Sequence, residues 1–328
     1  MEKENKNSWL TYSEKEKEEL HKICELYKSW LDRGKTEREC VELAVELAEK
    51  AGYHNLEEYL SEERQIRKGE KIYAVCMKKC IVLFRMGADP ISAGMNILGA
   101  HIDSPRIDIK QNPLYEKDDF TYLDTHYYGG IKKYQWVTQP LALHGVVVKK
   151  DGSCVNISIG EREDEPVFVI TDLLVHLASK QLEKKAGEVI EGEKLDILVG
   201  NCPIERDENL KEEKETVKAN VLKILEEAYG ISEEDFASAE LEIVPSGKAR
   251  DIGFDRSMIL AYGQDDRICA FTSIMAMLSV EDSSRTACCL LVDKEEIGSV
   301  GATGMHSRFF ENMVAELIAL TEGESDIK

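Results

Sequence analysis

The chain has no surplus of positive charge. Its 42 lysines and arginines are outnumbered by 63 aspartates and glutamates, and the formal net charge is -21. No basic stripe is available to neutralise phosphates, so a nucleic-acid partner is excluded. Long apolar runs are also missing. No stretch of about 18 apolar residues occurs, so no transmembrane helix and no membrane partner is expected. The opening MEKENKNSWLTYSEKEKEE lacks the apolar centre of a secretory signal. Cysteines are present, but not in a pattern. Their count is nine, an odd number, and CMKKC (Cys76, Cys80) has no second Cys or His pair at zinc-ribbon distance. Reduced, mostly packed thiols are expected, and with them a cytoplasmic location. Internal repeats are absent as well.

What is present is ordinary globular material: 328 residues, 43% hydrophobic and 32% charged, long enough for two domains. Ser13 with Glu16, and Thr36 with Glu39, have the spacing of capping boxes and open two helices. Leu20, Ile23, Tyr27, Trp30 and Leu31 then recur at helical spacing, and Gly52 can close the second helix. KIYAVCMKKCIVLFRMG (71–87) reads as a hairpin, and MNILGAHIDSP (95–105) as a buried strand followed by a polar break. From about 110 to 245 the pattern changes to short strands (LALHGVVVKK, SCVNISIG), an aromatic-rich loop (FTYLDTHYYGGIKKYQW) and two helices (TDLLVHLASKQLEKK, ETVKANVLKILEEAYG). ERDENLKEEKE (205–215) reads as a surface loop. The last part returns to α/β order: SMILAYG, the helix QDDRICAFTSIMAMLSV, the strand TACCLLV, and the helix HSRFFENMVAELIALTEG.

Three polar clusters each follow an apolar strand: His101 with Asp103, Asp265 with Asp266, and Asp293 with Glu295 and Glu296. Sites in open α/β sheets form beyond the carboxyl ends of strands, so the three can converge. Each alone has a plainer reading. His-x-Asp is common, an Asp pair before a helix is usually a cap, and a Glu pair is usually solvated surface. Together they are harder to dismiss, because carboxylates buried without a cation cost several kcal/mol each, roughly. Imidazole and carboxylate without thiolate suits Zn²⁺, Mn²⁺ or Co²⁺ in a hydrolytic site.

GAHIDSP, YGG with QPLALHGVVV, GQDDR and DKEEIGS, in this order, resemble the aspartyl aminopeptidase/aminopeptidase I family of dizinc metallopeptidases from about residue 15 onward. The resemblance implies an α/β catalytic domain, residues 1–110 plus 247–328, with a β-rich dimerisation domain, 111–246, inserted into it. It implies two divalent metal ions, Zn with Mn or Co as alternatives. His101, Asp265 (bridging) and Glu296 would be metal ligands. Asp103 would orient His101, Glu295 would be the general base, and Asp266 would stand behind the ligands where many members have Asn. His176 would reach a neighbouring subunit's site. His126, His144 and His306 are left as structural or surface residues. The implied activity is removal of N-terminal residues from peptide substrates by a self-associating protein, a dimer assembled into a dodecamer. Two further family ligands, an Asp and a near-C-terminal His, have no counterpart after Glu296. The expectation is therefore a site short of one ligand per metal, binding metal loosely and turning over poorly. Two other readings compete: a related dizinc amidohydrolase (deacetylase or carboxypeptidase), and an inactive assembly protein.

Overall fold

The computed structural model describes residues 7–204 and 215–322. Both capping boxes form. Ser13 opens α1 (Glu14–Arg33) and Thr36 opens α2 (Glu37–Lys50), each with the reciprocal side-chain to backbone bonds in place. Only the second half of α1 packs: Tyr27, Trp30 and Leu31 are buried, whereas Ile23 is exposed.

A five-stranded sheet follows, in the order β1 (His54–Asn55), β2 (Lys71–Cys76), β3 (Cys80–Arg85), β13 (Ala287–Val292), β4 (Asn96–His101). Pairs β1–β2 and β13–β4 are parallel and the other two are antiparallel. Helices cover both faces, which explains the unbroken apolar runs CIVLF and ACCLLV. Ile81, Leu83, Cys289 and Leu291 point to one core, with α1, α2 and α6 (Gln264–Ser279). Val82, Phe84, Cys288 and Leu290 point to the other, with α3 (Leu56–Ser61) and α7 (Phe309–Glu322). The adjacent Cys288 and Cys289 thus belong to different cores, and all nine cysteines are unpaired. The strand expected to be buried, β4, is instead the edge strand. Among the described residues it pairs only with β13, and its Ile97 and Leu98 are exposed.

The chain then leaves this sheet between His101 and Arg106. A six-stranded antiparallel sheet has the order β8 (Cys154–Ile159), β7 (Leu141–Val148), β10 (Ala239–Pro245), β5 (Arg106–Lys117), β6 (Phe120–Tyr128), β9 (Ile197–Gly200). Its own core includes Ile107, Leu141, Ile197 and Ile243, with α5 (Thr216–Tyr229) packed alongside. Two expectations fail here. FTYLDTHYY is a strand, not a loop: Thr121, Leu123 and Thr125 alternate inward on β6. TDLLVHLASKQLEKK is not one helix but a 3-10 turn, Val175–Leu177, and a four-residue helix α4 (Ser179–Leu182). Its large apolar residues find no core, since Leu173, Leu174, Val175, Leu177 and Leu182 are exposed. The stretch 205–214, expected to be a surface loop, lies outside the described residues.

The two sheets are joined by buried charge. Glu37, the first residue of α2, meets Lys79 from the β2–β3 turn and Arg106 from β5. Lys79 also pairs with Glu240, and Arg106 lies 3.1 Å from Glu242, both acids being on β10. A small ribbon of β11 (Arg250–Ile252) and β12 (Met258–Leu260) leads back to α6. No described helix is long and apolar enough to cross a membrane.

Candidate metal centre

His101 ends β4, and Val292, its partner in the parallel register, ends β13. Strands running in the same direction finish together, so the residues after each arrive at one corner. Beyond β4 come Ile102, Asp103 and Ser104, all buried. Beyond β13 the chain turns through Lys294 (φ 73) into a 3-10 turn, Glu295–Ile297, closed by Gly298 (φ 90). The two glutamates therefore diverge because they sit on a tight turn, not because they alternate along a strand. Gly298 occupies the left-handed conformation that favours glycine. The third contribution also differs from expectation. Asp265 and Asp266, joined by a cis peptide, come from the entry to α6, after a three-residue strand that belongs to the small ribbon. Ser104 Oγ donates to the Asp265 carbonyl at 2.9 Å and ties this entry to the end of β4.

His101 is held at one nitrogen and presents the other. Nδ1 lies 2.9 Å from the Asp103 carbonyl and 3.4 Å from Asp103 Oδ1. Nε2 faces outward, 3.3 Å from Asp265 Oδ1 and 3.8 Å from Glu295 Oε2. Burial would lower the imidazole's pKa, but the Asp103 hydrogen bonds, with the charges of Asp103 and Glu295, raise it to about 9. Asp103 is fully buried. Burial would raise it, yet hydrogen bonds from His101, Tyr128 and the Glu296 amide hold it below the ordinary carboxylate value. The Glu296 carboxyl is raised by burial; His101 opposes the rise, and the charges of Asp103, Asp265 and Glu295 add to it.

One donor atom each from His101, Asp265 and Glu296 lies within 4.8 Å of the others. An imidazole with a fixed far nitrogen and two carboxylates, without thiolate, fits a zinc-type ion. Glu37, Glu240 and Glu242 are spaced as closely, but Arg38, Lys79 and Arg106 already pair with them. Other expected residues stand elsewhere. Asp293 is buried and accepts from Thr303 Oγ1 at 2.6 Å, which shapes the turn. Asp266 is half-buried and outside the donor group. His176 is exposed on its 3-10 turn and is not part of the cluster. His144 is buried between Glu39 and Glu161, while His126 and His306 are exposed.

Two residues at this corner escaped the sequence reading. Tyr128 Oη donates to Asp103 Oδ2 at 2.8 Å, and Arg106 lies over the Tyr128 ring. The signal was available in YGG and in the alternation of FTYLDTHYY.

A mixed α/β sheet that brings imidazole and carboxylates to the shared carboxyl ends of two parallel strands has the build of a hydrolytic metalloenzyme. The chain belongs to the aminopeptidase I zinc metalloprotease family (M18), whose model it matches over residues 30–328. It is 56% identical over 326 residues to a probable M18 family aminopeptidase 1 of Clostridium acetobutylicum, covering 99% of this chain and 69% of that protein. The crystal structure of an M18 family aminopeptidase from Thermotoga maritima matches with a TM-score of 0.90 at 41% identity, over 99% of this chain and 68% of that one. A more distant fold match is the S. cerevisiae mApe1 dodecamer, with a TM-score of 0.71 at 18% identity, over 92% of this chain and 67% of that one. The resemblance carried by GAHIDSP, YGG, GQDDR and DKEEIGS is thereby borne out, as is the α/β fold class.

Proposed function

We propose that the chain carries the site of a zinc aminopeptidase that removes N-terminal residues from peptides. The observation carrying this is the convergence of His101, Asp265 and Glu296, with His101 Nδ1 fixed by Asp103 so that Nε2 faces Asp265. We assign these three as ligands, with Asp265 shared between two ions. Bound zinc would polarise the scissile carbonyl and stabilise negative charge on its oxygen. The protein's own part is positional. Asp103 holds the imidazole, and the Glu295 carboxylate, more than half exposed beside His101 Nε2, stands where it can accept a proton from attacking water. Asp266 stands behind Asp265 as a supporting residue.

Self-association is supported by the exposed apolar stretch around His176, five large apolar residues within 173–182. We read residues 111–246 as the dimerisation unit, with His176 reaching a second subunit's centre, and a dodecamer as the full assembly. Reduced thiols favour a cytoplasmic protein.

The test is to strip the protein of metal, reload it with zinc, and assay an aminoacyl-nitroanilide against an N-acetyl amino acid. Hydrolysis of the first alone is expected, with His101→Ala losing both bound zinc and turnover. Zinc retained in full by His101→Ala would refute the ligand assignment, and cleavage of the N-acetyl compound instead would refute the aminopeptidase reading.

A further inference from the structure

The ligands and the base all come from the first sheet and α6, yet the group that holds them together receives a hydrogen bond from the second sheet. Asp103 is the shared anchor. Its carboxylate faces His101 Nδ1, accepts the amide of Glu295 at Oδ1 and the amide of Glu296 at Oδ2, both at 3.2 Å, and accepts the Tyr128 hydroxyl at 2.8 Å. Tyr128 is the last residue of β6, and its register partner on β5 is Arg106. Arg106 Cζ lies 3.9 Å from the centre of the Tyr128 ring, and Lys294 Nζ lies 5.4 Å from it. Arg106 is itself fixed by Asp108 at 2.7 Å, Glu242 at 3.1 Å and Glu37 at 3.2 Å. The next residue, Gly129 (φ 71), lies so near Glu296 that a Cβ there would come within 3.0 Å of Glu296 Cβ and Oε2. The YGG motif thus places a phenol on the anchor and bare backbone against a ligand.

We infer that Tyr128 is a positioning residue for the metal centre: its hydroxyl, supplied by the second sheet, fixes the Asp103 carboxylate, and through it both the His101 ring and the Glu295–Glu296 turn. This rests on the reading of His101, Asp265 and Glu296 as ligands. The physical basis is that an acidic side chain with four neighbours in fixed directions has one orientation, whereas losing its strongest neutral donor frees it to rotate. Neighbours that orient metal ligands carry about 10–100-fold in metal affinity when removed. Tyr128 acts through Asp103.

Tyr128→Phe keeps the ring under Arg106 and removes only the hydroxyl. The parent chain, Tyr128→Phe, His101→Ala and Thr125→Val are prepared metal-free. Thr125→Val is the control, because it deletes another buried hydroxyl of the same strand, the donor to the Leu195 carbonyl. Each is titrated with Zn²⁺ against a chromophoric chelator, and deuterium exchange of the 293–299 segment is followed without metal. Tyr128→Phe is expected to bind zinc about 10–100-fold more weakly and to exchange faster across 293–299, while Thr125→Val matches the parent in both. Parent-like affinity and exchange in Tyr128→Phe would overturn the inference. So would an equal loss in Thr125→Val, which would reveal general loosening of the strand. If His101→Ala binds zinc as the parent does, the ligand reading falls instead, and the exchange result alone decides whether Tyr128 holds the turn.

Discussion

Glu295 and Glu296 are adjacent but differently placed. Glu295 keeps more than half of its side chain in solvent beside His101, whereas Glu296 is half-buried against Gly129. The exposed one suits proton transfer and the enclosed one suits ligation. Glu295→Gln is therefore expected to lower kcat by about 10²–10⁴-fold with metal content near normal. Glu296→Gln is expected to lose metal. Metal analysis alongside kcat separates the two, and the reverse pattern would exchange their roles. Much of this corner was legible from residue type alone, since His101, Asp103, Asp265 and the glutamate pair follow apolar runs. Tyr128 was marked only by its YGG motif. Its contact with Asp103 depends on a second sheet arriving over the first, which no local pattern encodes.

At the scale of elements, His144 is one of the charged contacts between α2 and the second sheet. It is buried on β7, with Nδ1 2.8 Å from Glu39 of α2 and Nε2 3.2 Å from Glu161 after β8. Burial lowers its pKa, but the two carboxylates outweigh that and raise it to about 9. A histidine whose folded pKa is raised gives its full stabilisation below its unfolded value near 6.5, and loses it as pH rises through about 9. His144→Gln should thus cost about 2 kcal/mol at pH 6, less than a fully enclosed pair because Glu39 is partly exposed. Unfolding followed at pH 6 and pH 10 should show the parent's advantage shrinking at the higher pH; a constant difference would mean the charge contributes nothing. Elements with strong local signals were legible: the two capping boxes, the 71–87 hairpin, and α5 closed by Gly230 (φ 63). The missed ones lacked such signals. The α4 region carries a helical composition but buries no stripe, and β4 has the apolar content of a central strand while lying at an edge.

At the scale of the whole molecule, His176 tests whether the centre is complete in one chain. It lies outside the donor cluster, surrounded by exposed Leu174, Val175 and Leu177. Mixed oligomers of His176→Ala and Glu295→Gln subunits are expected to recover part of the activity that each lacks alone, because some centres then combine intact parts. Verified mixed oligomers without any recovery would argue for a site confined to one subunit. The strand order has a different consequence, for the growing chain on the ribosome. β13 lies between β3 and β4, although residues 287–292 are made long after residues 80–101. Until they emerge, β3 has one bare edge, β4 has no neighbour, and His101 stands at the end of an unpaired segment. The six-stranded sheet between them can close meanwhile from its own residues. Glu295 and Glu296 follow that strand, so the donor group of His101, Asp265 and Glu296 can be complete only once residues 287–296 have been made.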